Sequence, residues 1–425
     1  MSELGCWIIQ EGNLMYKKIS KCRVCDGNLV SLMDLGEQAL TGVFPRSKDA
    51  EVNTGPVELV KCFAKNGCGL VQLGHSYELS EMYGMNYGYR SGLNASMVRH
   101  LHSKVEKILG MDILQPGDLV LDIGSNDATT LRAYPQGPYQ LVGIDPTGIK
   151  FASYYPAGIE LIADFFSAGT VSTRFPGKKA KVITSFSMFY DLEDPVAFAL
   201  EIERSLDDDG VWIFEQSYLP AMLRTNSFDT ICHEHLEFYA LKQINWIVAK
   251  AGMKVLDVEF NDVNGGSFSI TAAKESSKRK QNSGWLAEIL AEEVALGLDA
   301  LDVFDDFNQR VEECKAALMD FLREAKQSGK RVCGLGASTK GNVLLQYFGI
   351  DESLLEVIGE VNEDKFGCYT PGTLIPLIPE KQLLSTDPDY LLVLPWHFRS
   401  FFESLPALKG RRLVFPLPKF EIVRV

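Results

Sequence analysis

Four cysteines and a histidine pair carry the most explicit chemistry in this chain. Cys22-Arg-Val-Cys25 offers two thiolates from one tight turn, and Cys62 with Cys68 offers two more some forty residues later. Four thiolates satisfy tetrahedral zinc and leave no open coordination position, so the pattern predicts a structural metal site. Gly27 and Gly69 beside the pairs are what knuckle turns require. The five residues between Cys62 and Cys68 oblige the intervening loop to bulge away from the metal. Cys6, Cys232, Cys314, Cys333 and Cys368 read as plain core or surface residues. Of only six histidines, two flank a glutamate in Cys232-His-Glu-His-Leu-Glu-Phe-Tyr239. Histidine titrates near neutrality and can take or return a proton, and an adjacent carboxylate can orient it. His-Glu-His lacks the spacing of His-Glu-x-x-His, so it does not read as a second metal site. The alternative is a hydrogen-bonded structural loop.

A third signal is Val120-Leu-Asp-Ile-Gly-Ser-Asn-Asp127, an apolar strand that stops at an acid and a glycine. Glycine lets the backbone approach a ligand, and the helix start that follows offers free N–H groups. About twenty residues on, Leu141-Val-Gly-Ile-Asp145 ends a second apolar strand in an acid, where such folds hold ribose hydroxyls. The pair points to S-adenosylmethionine more than to NAD, because the full Gly-x-Gly-x-x-Gly is missing. Tyr83, Tyr87 and Tyr89 lie in the segment between the cysteine unit and this strand. A phenol there can cap a site and donate to a developing oxyanion, with aromatic packing the plainer reading.

These residues need elements to position them. The chain has 425 residues, 46% hydrophobic and 23% charged, which suits two or three globular domains. With 42 basic against 56 acidic residues the net charge is −14, and no basic block appears, so nucleic acid is not an expected partner. No apolar run is long enough to span a membrane and no signal-peptide pattern opens the chain, so a cytoplasmic protein is expected. Residues 1–80 form a small unit with short apolar segments at Val30–Leu35 and Gly69–Leu73. Residues 81–275 alternate strands and helices, with strands at Leu119–Ile123, Gln140–Ile144, Lys181–Ser185 and Gly210–Phe214. Met253–Phe260 and Ser267–Ala272 then pair across an Asn264-Gly-Gly266 turn. This order predicts an α/β fold with the seven-stranded sheet of methyltransferases. Residues 276–425 begin with helix over 285–327 and continue into a second Rossmann-like unit. Its first turn is Gly334-Leu-Gly-Ala-Ser-Thr-Lys-Gly341, flanked by a strand from Arg331 and a helix over Asn342–Phe348, with further strands at Glu356–Val361 and Tyr390–Pro395. The missing third glycine argues against a dinucleotide there.

Taken in order, Cys22-x-x-Cys25, Tyr87-Gly-Tyr-Arg-Ser-Gly92, Asp122-Ile-Gly-Ser-Asn-Asp127, Phe189-Tyr-Asp-Leu-Glu-Asp-Pro195, Phe228-Asp-Thr-Ile-Cys-His-Glu-His-Leu236, Asn264-Gly-Gly-Ser267, Gly334–Gly341 and Pro388–Trp396 resemble the nucleotide-sugar C-methyltransferases. The resemblance runs from about residue 20 to the C-terminus. It implies methylation at C3 of a 4-keto-6-deoxy sugar carried by a nucleoside diphosphate, thymidine first and guanosine second, with S-adenosylmethionine as donor and zinc as a structural ion. It implies cofactor contacts at Asp122, Gly124, Asn126, Asp145, Asp164 and Phe165. His235 becomes the general base, assisted by Glu234 and by Tyr87 or Tyr89. His233, Lys340 and Asn342 face the nucleotide-sugar substrate. The assembly implied is a monomer or small homo-oligomer. Three departures stand out: Ala128 where relatives usually carry glycine, Cys232 where some carry tyrosine, and the wide spacing of the Cys62–Cys68 pair. Methylation of O or N on another small molecule, and a zinc-bearing binding protein without catalysis, are the competing readings.

Overall fold

The computed structural model describes residues 16–78 and 90–425, so Cys6, Tyr83, Tyr87 and Tyr89 lie outside the described residues. Three sheets and a small two-stranded ribbon organise the chain. In the N-terminal unit, β1 (Tyr16–Lys18) pairs with β5 (His75–Tyr77), while β2 (Leu29–Ala39), β3 (Thr54–Cys62) and β4 (Val71–Leu73) form an antiparallel sheet. That sheet takes its fourth strand, β11 (Glu237–Phe238), from far along the chain: Glu237 lies opposite Gln72 and Phe238 opposite Val71. The segment that carries the histidine pair therefore completes the cysteine-bearing sheet.

The central sheet has the order β12-β13-β10-β9-β6-β7-β8. Its strands are β6 (Leu119–Ile123), β7 (Gln140–Ile144), β8 (Ile159–Ile162), β9 (Ala180–Phe186), β10 (Leu206–Ser217), β12 (Met253–Asn261) and β13 (Ser267–Lys274). All run parallel except β13, which is antiparallel to both its neighbours. Every residue of β6 is buried, as expected of a parallel strand covered by helices on both faces. The chain turns outward from β6 in both directions, to β7 on one side and β9 on the other, so the crevice at the carboxyl end of β6 is a topological switch point. The helix over Ala95–Gly110 packs beside this crevice and starts where the Asn94 side chain accepts from the Ser96 N–H at 2.9 Å. The expected hairpin turn is present, with Asn264, Gly265 and Gly266 all at positive φ.

The C-terminal sheet runs β16-β15-β14-β17-β18-β19. Its members are β14 (Val332–Leu335), β15 (Ile358–Glu360), β16 (Leu377–Pro379), β17 (Tyr390–Val393), β18 (Arg412–Phe415) and β19 (Glu421–Arg424), the last antiparallel to β18. A second switch point lies between β14 and β17. From it starts the helix Thr339–Phe348, capped by Ser338 Oγ on the Gly341 N–H at 3.0 Å and closed by Gly349 at φ +70°. The helical span read over 285–327 is two helices, Ser283–Ala295 and Asp302–Gln327, parted where Gly297 takes φ +75°. One continuous core joins the three units, running from Leu59 through Phe214 and Phe307 to Leu392. Among the described residues no helix is long and apolar enough to cross a membrane.

Candidate active site

The four cysteine sulfurs lie within 4.8 Å of one another, with Cys22 Sγ 3.4 Å from Cys68 Sγ and Cys25 Sγ 3.5 Å from Cys62 Sγ. A zinc–sulfur bond of about 2.3 Å implies a tetrahedral edge of roughly 3.8 Å, which the sulfur separations bracket, so the set fits zinc after shifts of no more than roughly an ångström. The glycines matter here through clearance. A Cβ on Gly27 would stand 2.6 Å from Cys62 Sγ, and one on Gly67 would stand 2.7 Å from it. Cys22, Cys62 and Cys68 are buried, which leaves no place for a reacting group and makes this a closed, structural site.

At the first switch point lies a cavity of about 250 Å³ lined by Asp122, Gly124, Asn126, Asp145 and Phe165, among others. The turn after β6 is held in a shape few sequences adopt. Gly124 has φ +71°, and a Cβ there would press on Met188 at 3.1 Å. Asn126, Ala128 and Ser187, none of them glycine, also take left-handed conformations, at φ +48°, +60° and +54°. Such residues cost about 1–2 kcal/mol each and gather where a ligand site over-determines the backbone. Ala128 thus adopts the conformation that glycine would take freely, and its methyl is fully buried beneath the cavity. Asp145 is fixed by three donors: the Asn126 N–H at 2.8 Å, the Thr147 N–H at 2.7 Å and the Thr147 hydroxyl at 2.6 Å. A carboxylate accepts about four hydrogen bonds, so capacity remains for one ribose hydroxyl. The Asp122 carboxyl accepts from Thr184 Oγ1 at 2.6 Å, and burial pushes it up to about 7. It supports the turn from below.

The histidine segment follows β10. His235 Nδ1 donates to the Thr230 carbonyl at 2.7 Å, which fixes the tautomer and leaves the lone pair on Nε2. The Tyr190 ring meets the imidazole edge-on at 4.6 Å between centroids. Burial, joined by the Lys340 charge and opposed by the bond to Thr230, lowers His235 to about 4. The imidazole is therefore neutral near pH 7. Glu234 accepts from the Cys232 thiol at 3.5 Å and makes no direct bond to His235 among the described residues. His233 is buried, its Nε2 donating to the Gly55 carbonyl of β3 at 3.1 Å and its ring set edge-on against Tyr77. Across the cleft stands the second switch point. Lys340 Nζ donates to the Asn264 carbonyl at 2.7 Å, and Trp396 Nε1 donates to Asp229 Oδ2 at 2.7 Å. Asn342 Nδ2 donates to the Thr41 carbonyl at 2.7 Å.

Three family models match the chain in series: a zinc binding domain over residues 22–83, "Methyltransferase domain" over 93–258 and "C-methyltransferase C-terminal domain" over 262–418. The C-methyltransferase NovU of Streptomyces niveus is 28% identical over 96% of this chain and 97% of its own length. The chain belongs to the three-domain C-methyltransferases. Among solved structures, LepI in complex with SAM aligns at 17% identity over 37% of this chain and 43% of that one, with a TM-score of 0.32. Magnesium protoporphyrin IX methyltransferase ChlM from Synechocystis PCC 6803 aligns at 14% identity over 42% and 84%, with a TM-score of 0.32. The strand order, and not these partial likenesses, establishes the fold.

In this S-adenosylmethionine-dependent C-methyltransferase the residues lining the cavity beside Gly124 could hold the cofactor, and the Cys₄ cluster could hold zinc. Of the residues read from the sequence, Asp122, Gly124, Asn126, Asp145 and Phe165 line the cavity. Asp164 is not among the lining residues; its carboxylate accepts from the Phe165 N–H at 2.7 Å, and Phe166 lines the wall beside Phe165. Asn342 is wholly buried and binds the N-terminal unit, and His233 does the same. Tyr87 and Tyr89 fall outside the described residues. Reading the sequence missed Thr230, whose carbonyl orients His235, and Met188, which lies over Gly124. It also missed Asp229 and His397, which face Lys340. His397 adjoins the Pro388–Trp396 motif and could have been found there. Asp145→Ala is expected to weaken S-adenosylmethionine binding roughly 10- to 100-fold by calorimetry, as charge-assisted hydrogen bonds are lost. An unchanged affinity would remove Asp145 from the cofactor site.

Proposed function

We propose that the enzyme methylates C3 of a nucleotide-linked 4-keto-6-deoxy sugar, thymidine diphosphate being the preferred carrier and guanosine diphosphate the second choice. The observation that carries this reading is His235, held by the Thr230 carbonyl with the Nε2 lone pair free, close to the cofactor cleft and to the second Rossmann-like unit. A base so placed has a purpose when carbon must lose a proton. Methylation of O or N needs no such base for C–H.

In the proposed reaction Nε2 takes the proton from C3, and the C–H electron pair becomes the enolate of the C4 ketone. When bound, S-adenosylmethionine supplies an electrophilic methyl on a sulfonium. C3 forms the new bond to that methyl, the methyl–sulfur bond breaks, and the proton on His235 leaves to water. The ammonium of Lys340 stands on the side of the cleft where negative charge would develop or where a diphosphate would lie. Binding the nucleotide far from C3 supplies orientation that a bare sugar lacks.

The test is mass spectrometry of reactions with thymidine- and guanosine-diphospho 4-keto-6-deoxy sugars. One added methylene on a single sugar, resistant to mild demethylating hydrolysis, is expected. Loss of deuterium from C3 without methyl donor separates carbon methylation from O- or N-methylation. Absence of both on every sugar would place the substrate elsewhere. The pH profile supplies a second check. A base lowered to about 4 stays neutral through weak acid, so kcat/KM should hold to near pH 5 and fall below it. The acid limb of kcat should lie higher, because an anionic substrate offsets the Lys340 charge. A limb of kcat/KM at the ordinary histidine value would contradict the buried setting of His235.

A further inference from the structure

The stretch His233–Phe238, which carries His235, is fastened to the cysteine-bearing unit at several points. His233 donates to Gly55 of β3, and the Leu73 N–H of β4 donates to the Leu236 carbonyl at 2.8 Å. Glu237 and Phe238 pair with β4 as β11, and Gln243 Nε2 donates to the Cys68 carbonyl at 2.9 Å. The central unit also holds the stretch, through the Leu236 N–H donating to the Tyr190 carbonyl and the Leu219 N–H donating to the Tyr239 carbonyl.

The metal knuckle is part of this fastening. Gln72, opposite Glu237 on β4, donates from Nε2 to Cys22 Sγ at 3.2 Å, and its Oε1 accepts from the Arg23 N–H at 3.1 Å and from Arg23 Nη1 at 3.3 Å. Arg23, the residue after Cys22, also donates to the Leu73 and His75 carbonyls at 2.7 and 2.8 Å and to Ser76 Oγ at 3.0 Å. Its Nε lies 3.7 Å from Glu237 Oε1. Both side chains are essentially buried, and neither oxygen of Glu237 has a hydrogen-bond partner within the described residues. Burial pushes the Glu237 carboxyl well above the usual carboxylate range despite the Arg23 guanidinium beside it, so the pair adds little as a stabilising ion pair, and the best-attested use of such buried polar pairs is to specify register. Here the register is that of β11, two residues from His235.

We propose that Arg23, Gln72 and Glu237 are positioning residues for the base, a relay through which the zinc knuckle sets where His235 stands. The zinc ion is then more than a clip for the N-terminal unit, because the sulfur of Cys22 orients Gln72, Gln72 orients Arg23, and Arg23 orients the strand that follows His235. This rests on the assignment of His235 as the base.

The variant to make is Glu237→Gln in the full chain, since it keeps the shape of the side chain and leaves Arg23 its carbonyl partners. Zinc content, S-adenosylmethionine affinity and KM should stay within about two-fold of the parent, while kcat falls roughly 10- to 100-fold, as for other outer residues around metal centres. Amide exchange over residues 232–238 should quicken while β6 and β9 stay protected. Arg23→Lys, which keeps the charge and loses the planar fork, should give the same split. A chelator titration of the parent protein supplies a reading free of turnover: exchange at 232–238 should rise in step with zinc loss. Unchanged kcat with unchanged exchange in Glu237→Gln would overturn the relay, as would zinc removal that loosens residues 16–77 and leaves 232–238 protected. If the parent methylates no sugar tested, the exchange results still decide the relay, and the failure belongs to the proposed substrate.

Discussion

His235→Ala is expected to lower kcat by about 10²- to 10⁴-fold, the usual worth of a positioned general base, while S-adenosylmethionine binds with unchanged affinity. The expectation follows from how little else this side chain does. Among the described residues its side chain makes one hydrogen bond, to a backbone carbonyl, and one ring contact, an edge-on meeting with Tyr190. Removing it leaves the Thr230 carbonyl facing the vacated space, which has room for water. The cofactor cavity draws its walls from β6, β7, β9 and the helix over Ala95–Gly110, and His235 is not among its lining residues. The variant should also fail to wash deuterium from C3, which separates loss of proton removal from loss of methyl transfer. A His235→Ala enzyme that exchanges the C3 deuteron at the parent rate would assign the base elsewhere, and a parent-like kcat would end its catalytic role.

The strands read most sharply from the sequence are those buried on both faces. Leu119–Ile123 and Gln140–Ile144 are near-continuous apolar runs, and their boundaries stand in the structure where the pattern put them. Ile159–Ile162 escaped notice because it is a four-residue edge strand, half-buried throughout, with a glutamate in its middle. Thr54–Cys62 escaped for another reason: Gly55 and Pro56 interrupt its start, and Lys61 near its end is buried, with Nζ donating to the Gly69 carbonyl. A two-residue strand such as β11 has no periodicity at all, so the joining of the histidine-bearing loop to the cysteine unit could not be seen before the structure. The same division holds at the site. Side chains with distinctive chemistry, the cysteines, Asp145 and the histidine pair, announce themselves. Backbone partners such as the Thr230 and Gly55 carbonyls carry no signature in residue type, yet they fix which nitrogen of His235 carries the proton and which way His233 faces.

Loss of a zinc ligand is expected to have the largest effect on stability. Structural zinc contributes on the order of 10 kcal/mol or more to folding in small metal domains, because the site exists only in the folded chain. The N-terminal unit is of that kind, about sixty residues whose sheet is completed only by a borrowed strand. Cys62 is the ligand to replace. It is buried, and Gly27 and Gly67 crowd its sulfur so closely that neither could carry a side chain. Cys62→Ser should therefore lower bound zinc from about one ion per chain to well below that, by elemental analysis. A new unfolding transition should appear below that of the remaining chain. Cys314→Ser is the control: that thiol is buried near Pro418, far from the cluster, and its loss should leave zinc content unchanged. Methyl transfer should collapse in Cys62→Ser, since the loop bearing His235 is bonded to β3 and β4. S-adenosylmethionine binding should persist, because Asp145 and the turn after β6 belong to the central sheet. Retention of a full zinc complement and a single parent-like transition would show that Cys62 is not a ligand. Loss of cofactor binding together with zinc would show that the central sheet cannot hold its cleft open alone.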